Sequence, residues 1–138
     1  MTPQEIQERN EQIALMLGYR LITPDMRRNP DKWNMSYWQK DYPEKQDVLC
    51  SEKYLPFHSD WNWLMEVVEF INNLKIKTQT FYLSITRSNV WIYQYKNHTT
   101  KCPTFSNSVL DDGKFKPLKE TLFIAVSDFA KLYNNKEL

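Results

Sequence analysis

The sequence predicts an α+β domain in which helices flank an antiparallel sheet. Three blocks carry apolar residues at helical spacing, and one stretch, Phe81 to Lys96, alternates with the period of a strand. The strands of that stretch follow each other directly, so they pair antiparallel. The expected order is helix, strand-containing or irregular region, helix, β-hairpin, helix. A chain of 138 residues with no glycine- or serine-rich linker is expected to form one domain, residues 1–138, around one core.

The first helix starts at Thr2-Pro3-Gln4-Glu5. A hydroxyl caps it, proline takes the first helical position where a missing N–H costs nothing, and the glutamate completes a capping box. Ile6, Ile13, Ala14 and Leu17 share a side, and Gly18 is placed to take the left-handed conformation that ends a helix. The region from Thr23 to Tyr54 carries three prolines and is too long for a structureless connection. Trp33, Met35 and Tyr37 alternate with Asn34, Ser36 and Trp38, the period of a half-buried strand.

Leu55 to Ile71, "LPFHSDWNWLMEVVEFI", leads into the second helix, with Ser59 or Asp60 as its cap. Asn62, Glu66, Glu69 and Asn73 form a narrow polar stripe. Apolar residues including Trp61, Trp63 and Met65 take up the rest of the circumference, which predicts cover on more than one side. Phe81, Leu83 and Ile85, then Val90 and Ile92, alternate with Tyr82, Ser84, Trp91, Tyr93 and Tyr95 around a turn at Arg87-Ser88-Asn89, which is a hairpin. His98 to Lys116 is polar and turn-rich, with a short strand expected near Thr104 to Val109. Leu118, Leu122, Ala125, Val126, Phe129, Leu132 and Tyr133 make the stripe of a closing helix, opposite Glu120, Ser127, Asp128 and Lys131.

"LPFHSDWNWLMEVVEFI", with "NEQIALMLGY" upstream and "DFAKLYNN" near the end, resembles the phage ABA-sandwich domain family, small phage and prophage proteins common in Bacteroidetes genomes. The most specific part is the pattern of His58, Asp60, Trp61, Leu64 and Val68. The resemblance implies a sheet flanked by helices and a phage or prophage origin, and it carries no catalytic residues onto this chain. The chain departs from the family pattern between Trp33 and Tyr54 and in its polar connection before the last helix, where an individual function is expected to sit.

Chemistry-bearing groups are sparse. Cys50, His58, His98 and Cys102 lack the compact spacing of a zinc site, and two cysteines make no disulfide framework, which fits a reducing cytoplasm. His58 with Asp60 straddles a helix start, where capping is the commoner occupation, and Glu66 and Glu69 fall on a solvated stripe. Two glycines cannot build a phosphate-binding loop. The expectation is a protein with no catalytic residues, no metal and no cofactor, and no apolar run is long enough to span a membrane.

Binding is the better expectation. Net charge is only +1, but Asp41 to Leu74 holds seven acidic residues against Lys45 and Lys53, whereas Lys75 to Lys119 holds eight basic ones against Asp111 and Asp112. Tyr82, Trp91, Tyr93 and Tyr95 lie among Lys77, Arg87, Lys96 and Lys101, a combination that suits single-stranded RNA through stacking and backbone charge. Trp33, Tyr37, Trp38 and Tyr42, with Arg27 and Arg28, are residue types that dominate protein interfaces. From the resemblance and these aromatics, the expected activity is occlusion of a host protein or ribonucleoprotein. Its most concrete form is an anti-CRISPR-like inhibitor of a nuclease-based defence.

Overall fold

The computed structural model describes residues 1–23, 37–40, 48–51, 55–109 and 113–138. Helix α1 spans Pro3–Met16, strand β1 Tyr19–Ile22, β2 Tyr37–Lys40, β3 Val48–Ser51, and helix α2 Trp61–Asn73. Then come β4 Lys75–Ile76, β5 Gln79–Ile85, β6 Asn89–Lys96, β7 Thr99–Asn107 and helix α3 Leu118–Asn134. The class is α+β, and every strand pairing is antiparallel.

The strands form two sheets rather than one: β1-β2-β3, and β4-β5-β6-β7. The hairpin expected between Phe81 and Lys96 is the β5–β6 pair, with the Thr86 N–H donating to the Asn89 carbonyl at 2.9 Å to close its turn. The polar stretch after it is more regular than the sequence suggests. Asn97 and His98, both at positive φ (49° and 62°), make a two-residue turn of the twist that hairpins favour, and β7 follows at once as a nine-residue strand. Its register against β6 shifts between Ile92 and Gln94, where Cys102 and Pro103 stand opposite one β6 position. Of the alternation expected to begin at Trp33, Trp33 and Met35 lie outside the described residues, and Tyr37 opens β2.

The helix ends follow the local chemistry. Thr2 Oγ1 accepts from the Glu5 N–H at 3.2 Å and Glu5 Oε2 accepts from the Thr2 N–H at 2.8 Å, completing the capping box. Gly18 ends α1 at φ 91°, a conformation that a Cβ would strain. Asp60, not Ser59, caps α2, its Oδ1 accepting from the Asn62 N–H at 2.8 Å.

One face of the four-stranded sheet is covered. α2 lies over β5, α3 over β6 and β7, and α1 packs along α3 and reaches β1. The core draws Ile13 and Ala14 from α1, Leu64, Val67, Val68 and Ile71 from α2, Phe81, Val90 and Ile92 from the sheet, and Leu122, Phe123, Val126 and Phe129 from α3. Edge-to-face ring contacts tie the layers together: Phe81 to Phe129 at 5.5 Å, and Phe70 to Tyr133 at 6.0 Å. Where β4 stops after two residues, the Leu83 N–H of β5 donates instead to Asn72 Oδ1 of α2 at 2.8 Å, which satisfies that edge donor.

Two helix faces differ from the sequence expectation. α2 lies against β5 and touches α3 through Phe70 and Tyr133, as its wide apolar arc predicts, but Trp61 and Met65 are each 43% exposed, because an apolar residue on a surface carries a modest penalty when no neighbour is there to cover it. On α3, Ser127 is buried rather than solvated. Its hydroxyl donates to the Ile124 carbonyl at 3.0 Å and accepts from Arg9 at 2.7 Å, and the same guanidinium nitrogen reaches Asp128 at 2.7 Å. Arg9 therefore fastens α1 to α3.

Candidate binding surfaces

The pleat of β5, β6 and β7 sorts their side chains into two sets. Gln79, Phe81, Val90, Ile92, Thr104 and Ser106 point under the helices and are buried. Tyr82, Trp91, Tyr93, Tyr95 and Phe105 point the other way, onto a face that no described element covers. Tyr82 is 46% and Phe105 51% exposed.

Register makes these five rings one surface. Tyr82 faces Tyr93 across the β5–β6 pair, and the rings stack at 4.8 Å with planes 22° apart. One row along, Ser84, Trp91 and Phe105 stand side by side, with the Trp91 and Phe105 rings 5.6 Å apart. In the opposite direction Lys75, Thr80, Tyr95 and Thr100 form a row, and the Tyr95 hydroxyl meets His98 Nδ1 at 3.0 Å. Cross-strand aromatic pairs of this kind hold each other in place, so the face is preorganised.

The sequence placed Lys77, Arg87, Lys96 and Lys101 with these aromatics, and the structure divides that set. Lys77, at φ 55°, sits in the β4–β5 turn, and Arg87 in the β5–β6 turn at the opposite end of the sheet. Lys96 and Lys101 project from the helix side: Lys101 pairs with Gln94 and Lys96 with Thr99, in line with inward-pointing Ile92. Tyr82, Trp91, Tyr93 and Tyr95 are thus brought together, and none of the four cations stands in their rows. Lys75 is a basic residue that does lie in the aromatic rows. From Lys75 to Val109 there is no Asp or Glu at all, so the sheet as a whole is positive.

The other expected interface is largely out of view. Arg27, Arg28, Trp33 and Tyr42 lie outside the described residues, and Tyr37 is placed on β2 opposite Ile22 and Ser51. Trp38 is in the core. It is 3% exposed and belongs to the central cluster, so it cannot meet a partner without unfolding its surroundings.

The groups that could suggest catalysis or zinc are occupied singly. His58 Nδ1 lies 3.0 Å from the Asn10 amide nitrogen, so the ring is engaged by α1. Asp60 is the α2 cap, and Glu66 and Glu69 are exposed. The Cys102 thiol donates to the Thr104 carbonyl at 3.1 Å. Among the described residues, no three of His, Cys, Asp and Glu gather to hold a metal ion, and no helix is long and apolar enough to cross a membrane.

Sequence reasoning missed Phe105, which completes the aromatic rows. The signal was present in Asn97-His98, a short polar pair between two alternating stretches, which marks a second hairpin. No protein-family model matches the chain, and neither does any curated protein or solved structure.

Proposed function

We propose that this protein is a non-catalytic binder whose working surface is the uncovered aromatic face of β5, β6 and β7. The observation that carries the reading is that Tyr82, Tyr93, Trp91, Phe105 and Tyr95 share a solvent-facing side of a sheet with no carboxylate. Stiff aromatic side chains lose little entropy on docking and dominate interface energetics, and surrounding cations favour a neutral or acidic partner.

The most concrete form joins this face to the resemblance to phage ABA-sandwich proteins. In that form the chain is a phage or prophage accessory protein acting in the host cytoplasm, and it occludes a protein or ribonucleoprotein of a nuclease-based defence in the manner of an anti-CRISPR. The test is inhibition of target cleavage by purified guide-loaded host nucleases, followed by co-elution of inhibitor and nuclease. Tyr82→Ala and Phe105→Ala are each expected to weaken a productive complex by about 2 kcal/mol, roughly thirtyfold in Kd. A complex that both variants leave unchanged rules out the aromatic face.

A second reading, single-stranded RNA on the same face, is favoured by the Tyr82–Tyr93 stack together with Lys75 in its rows. It predicts anisotropy-detected RNA binding that weakens steeply with salt and is lost with Tyr82→Ala. Absence of binding at low salt removes it.

A further inference from the structure

The two lysines that the pleat turns away from the aromatics meet in a cleft. It has a volume of about 640 Å³ and lies where the sheet extends beyond the end of α3, with Gln79, Gln94, Lys96, Lys101, Cys102 and Glu137 among its lining residues. That volume is in the range of small-molecule sites, about 300–1,000 Å³. Such sites are usually mostly apolar, whereas the side chains here are mostly polar or charged, so the fitting ligand is polar as well.

The floor is a pair of carboxamides. Gln79, only 8% exposed, accepts through Oε1 from Gln94 Nε2. A carboxamide carries an NH2 with two donors and an oxygen that accepts, and this bond joins the oxygen of Gln79 to the nitrogen of Gln94, leaving the Gln79 amide nitrogen and the Gln94 carbonyl oxygen for a ligand. A donor next to an acceptor suits the edge of a nucleobase.

The charge at the mouth points to the other half of such a ligand. Lys96 and Lys101 are exposed and make no ion pair among the described residues. On the same side of the bulge, next to the β6–β7 turn, they flank one opening, where the acidic side chain among the described lining residues is Glu137. Lys96 and Lys101 put two ammonium groups on the strand wall of the mouth, opposite Glu137 and Leu138 on the wall that follows α3, and an ammonium is an effective point charge for phosphate.

We propose that this cleft is a binding site for a nucleoside monophosphate group, its phosphate held between Lys96 and Lys101 and its base edge read by Gln79 and Gln94. The site is on the opposite side of the sheet from the aromatic face and does not depend on what that face binds. The same chemistry is offered by a free nucleotide and by the phosphorylated end of an RNA strand.

The test uses the full chain, isothermal titration at low salt, and the four nucleoside 5′-monophosphates, inorganic phosphate and a 5′-phosphorylated trinucleotide as separate ligands. Cys102, in the same cleft, gives a second readout: a bound ligand slows its alkylation by iodoacetamide, followed at the Cys102 peptide by mass spectrometry. At least one nucleotide or the trinucleotide is expected to bind, with Lys96→Gln and Lys101→Gln each weakening it about tenfold or more and Glu137→Gln tightening it. Tyr82→Ala is expected to leave it unchanged, which separates this site from RNA bound on the aromatic face. Tighter binding of the trinucleotide assigns the strand end, and tighter binding of the nucleotide assigns the free ligand. No binding by either up to ~10 mM overturns the proposal. So does binding indifferent to both lysines, or inorganic phosphate binding as tightly as the nucleotide.

Discussion

Replacing Trp38 by alanine separates a core residue from an interface residue more sharply than any other single change in this chain. The tryptophan is 3% exposed and belongs to the cluster that contains Tyr19, Leu64 and Phe123. Truncating a buried aromatic of that size costs about 3–5 kcal/mol, from lost transfer energy and the cavity left behind. Against a total of about 5–15 kcal/mol for a domain, that removes a large part of the stability. The assay is urea unfolding followed by far-ultraviolet circular dichroism, which does not depend on the tryptophan removed. With a slope of about 1–3 kcal/mol per molar, the midpoint should fall by at least ~1 M at unchanged slope. Trp38→Phe, which keeps a ring in the site, should cost clearly less. Tyr82→Ala, on the open face, should cost about 1 kcal/mol or less, the worth of a cross-strand ring pair. A loss below ~0.5 kcal/mol for Trp38→Ala, the range of ordinary surface changes, would refute its placement in the core.

Two further changes test the joints between elements. Asp60→Ala removes the α2 cap and should destabilise by about 1 kcal/mol, whereas Ser59→Ala should be near neutral; the reverse order in thermal melts would move the cap. Thr121→Val leaves the Ser108 hydroxyl, now bonded to Thr121 Oγ1 at 2.7 Å, buried without its partner, at a cost of about 1–3 kcal/mol. Adding Ser108→Ala should recover part of that loss, and strict additivity of the two changes would show that the hydroxyls do not interact.

The sequence carried the elements whose signals are local. The capping box at Thr2 and Glu5, the stop at Gly18 and the Phe81 to Lys96 hairpin depend on neighbours within a few residues and are where spacing puts them, whereas α3 is buried more widely than its stripe, at Phe123 and Ser127 as well. β7 was underestimated because its inward residues, Thr104 and Ser106, are small and polar and give no apolar alternation. The split into two sheets depends on long-range pairing, which period cannot reveal. The apolar arc on α2 predicts its contacts with β5 and α3 and fails at Trp61 and Met65, because hydrophobicity does not say whether a neighbour exists to cover them.

The binding surfaces show the same division. That Lys96 points away from Tyr95 follows from a period of two and was legible. That Lys101 joins it depends on the position of the turn, and that Phe105 returns to the aromatic face depends on the bulge at Cys102 and Pro103, which only the paired register reveals. Segmental charge alone could not separate a basic face from basic residues distributed over two faces.

The ends of the four-stranded sheet limit how anything can attach to it. Its first strand, β4, is two residues long, and its last, β7, carries a kink at a proline, which has no N–H to offer an incoming strand. Strand-by-strand extension is therefore discouraged at both margins, and with it the fibre-like stacking that an exposed aromatic sheet would otherwise invite. A partner has to lie flat across the strands, so recognition here is a matter of matching a broad surface instead of lending a strand.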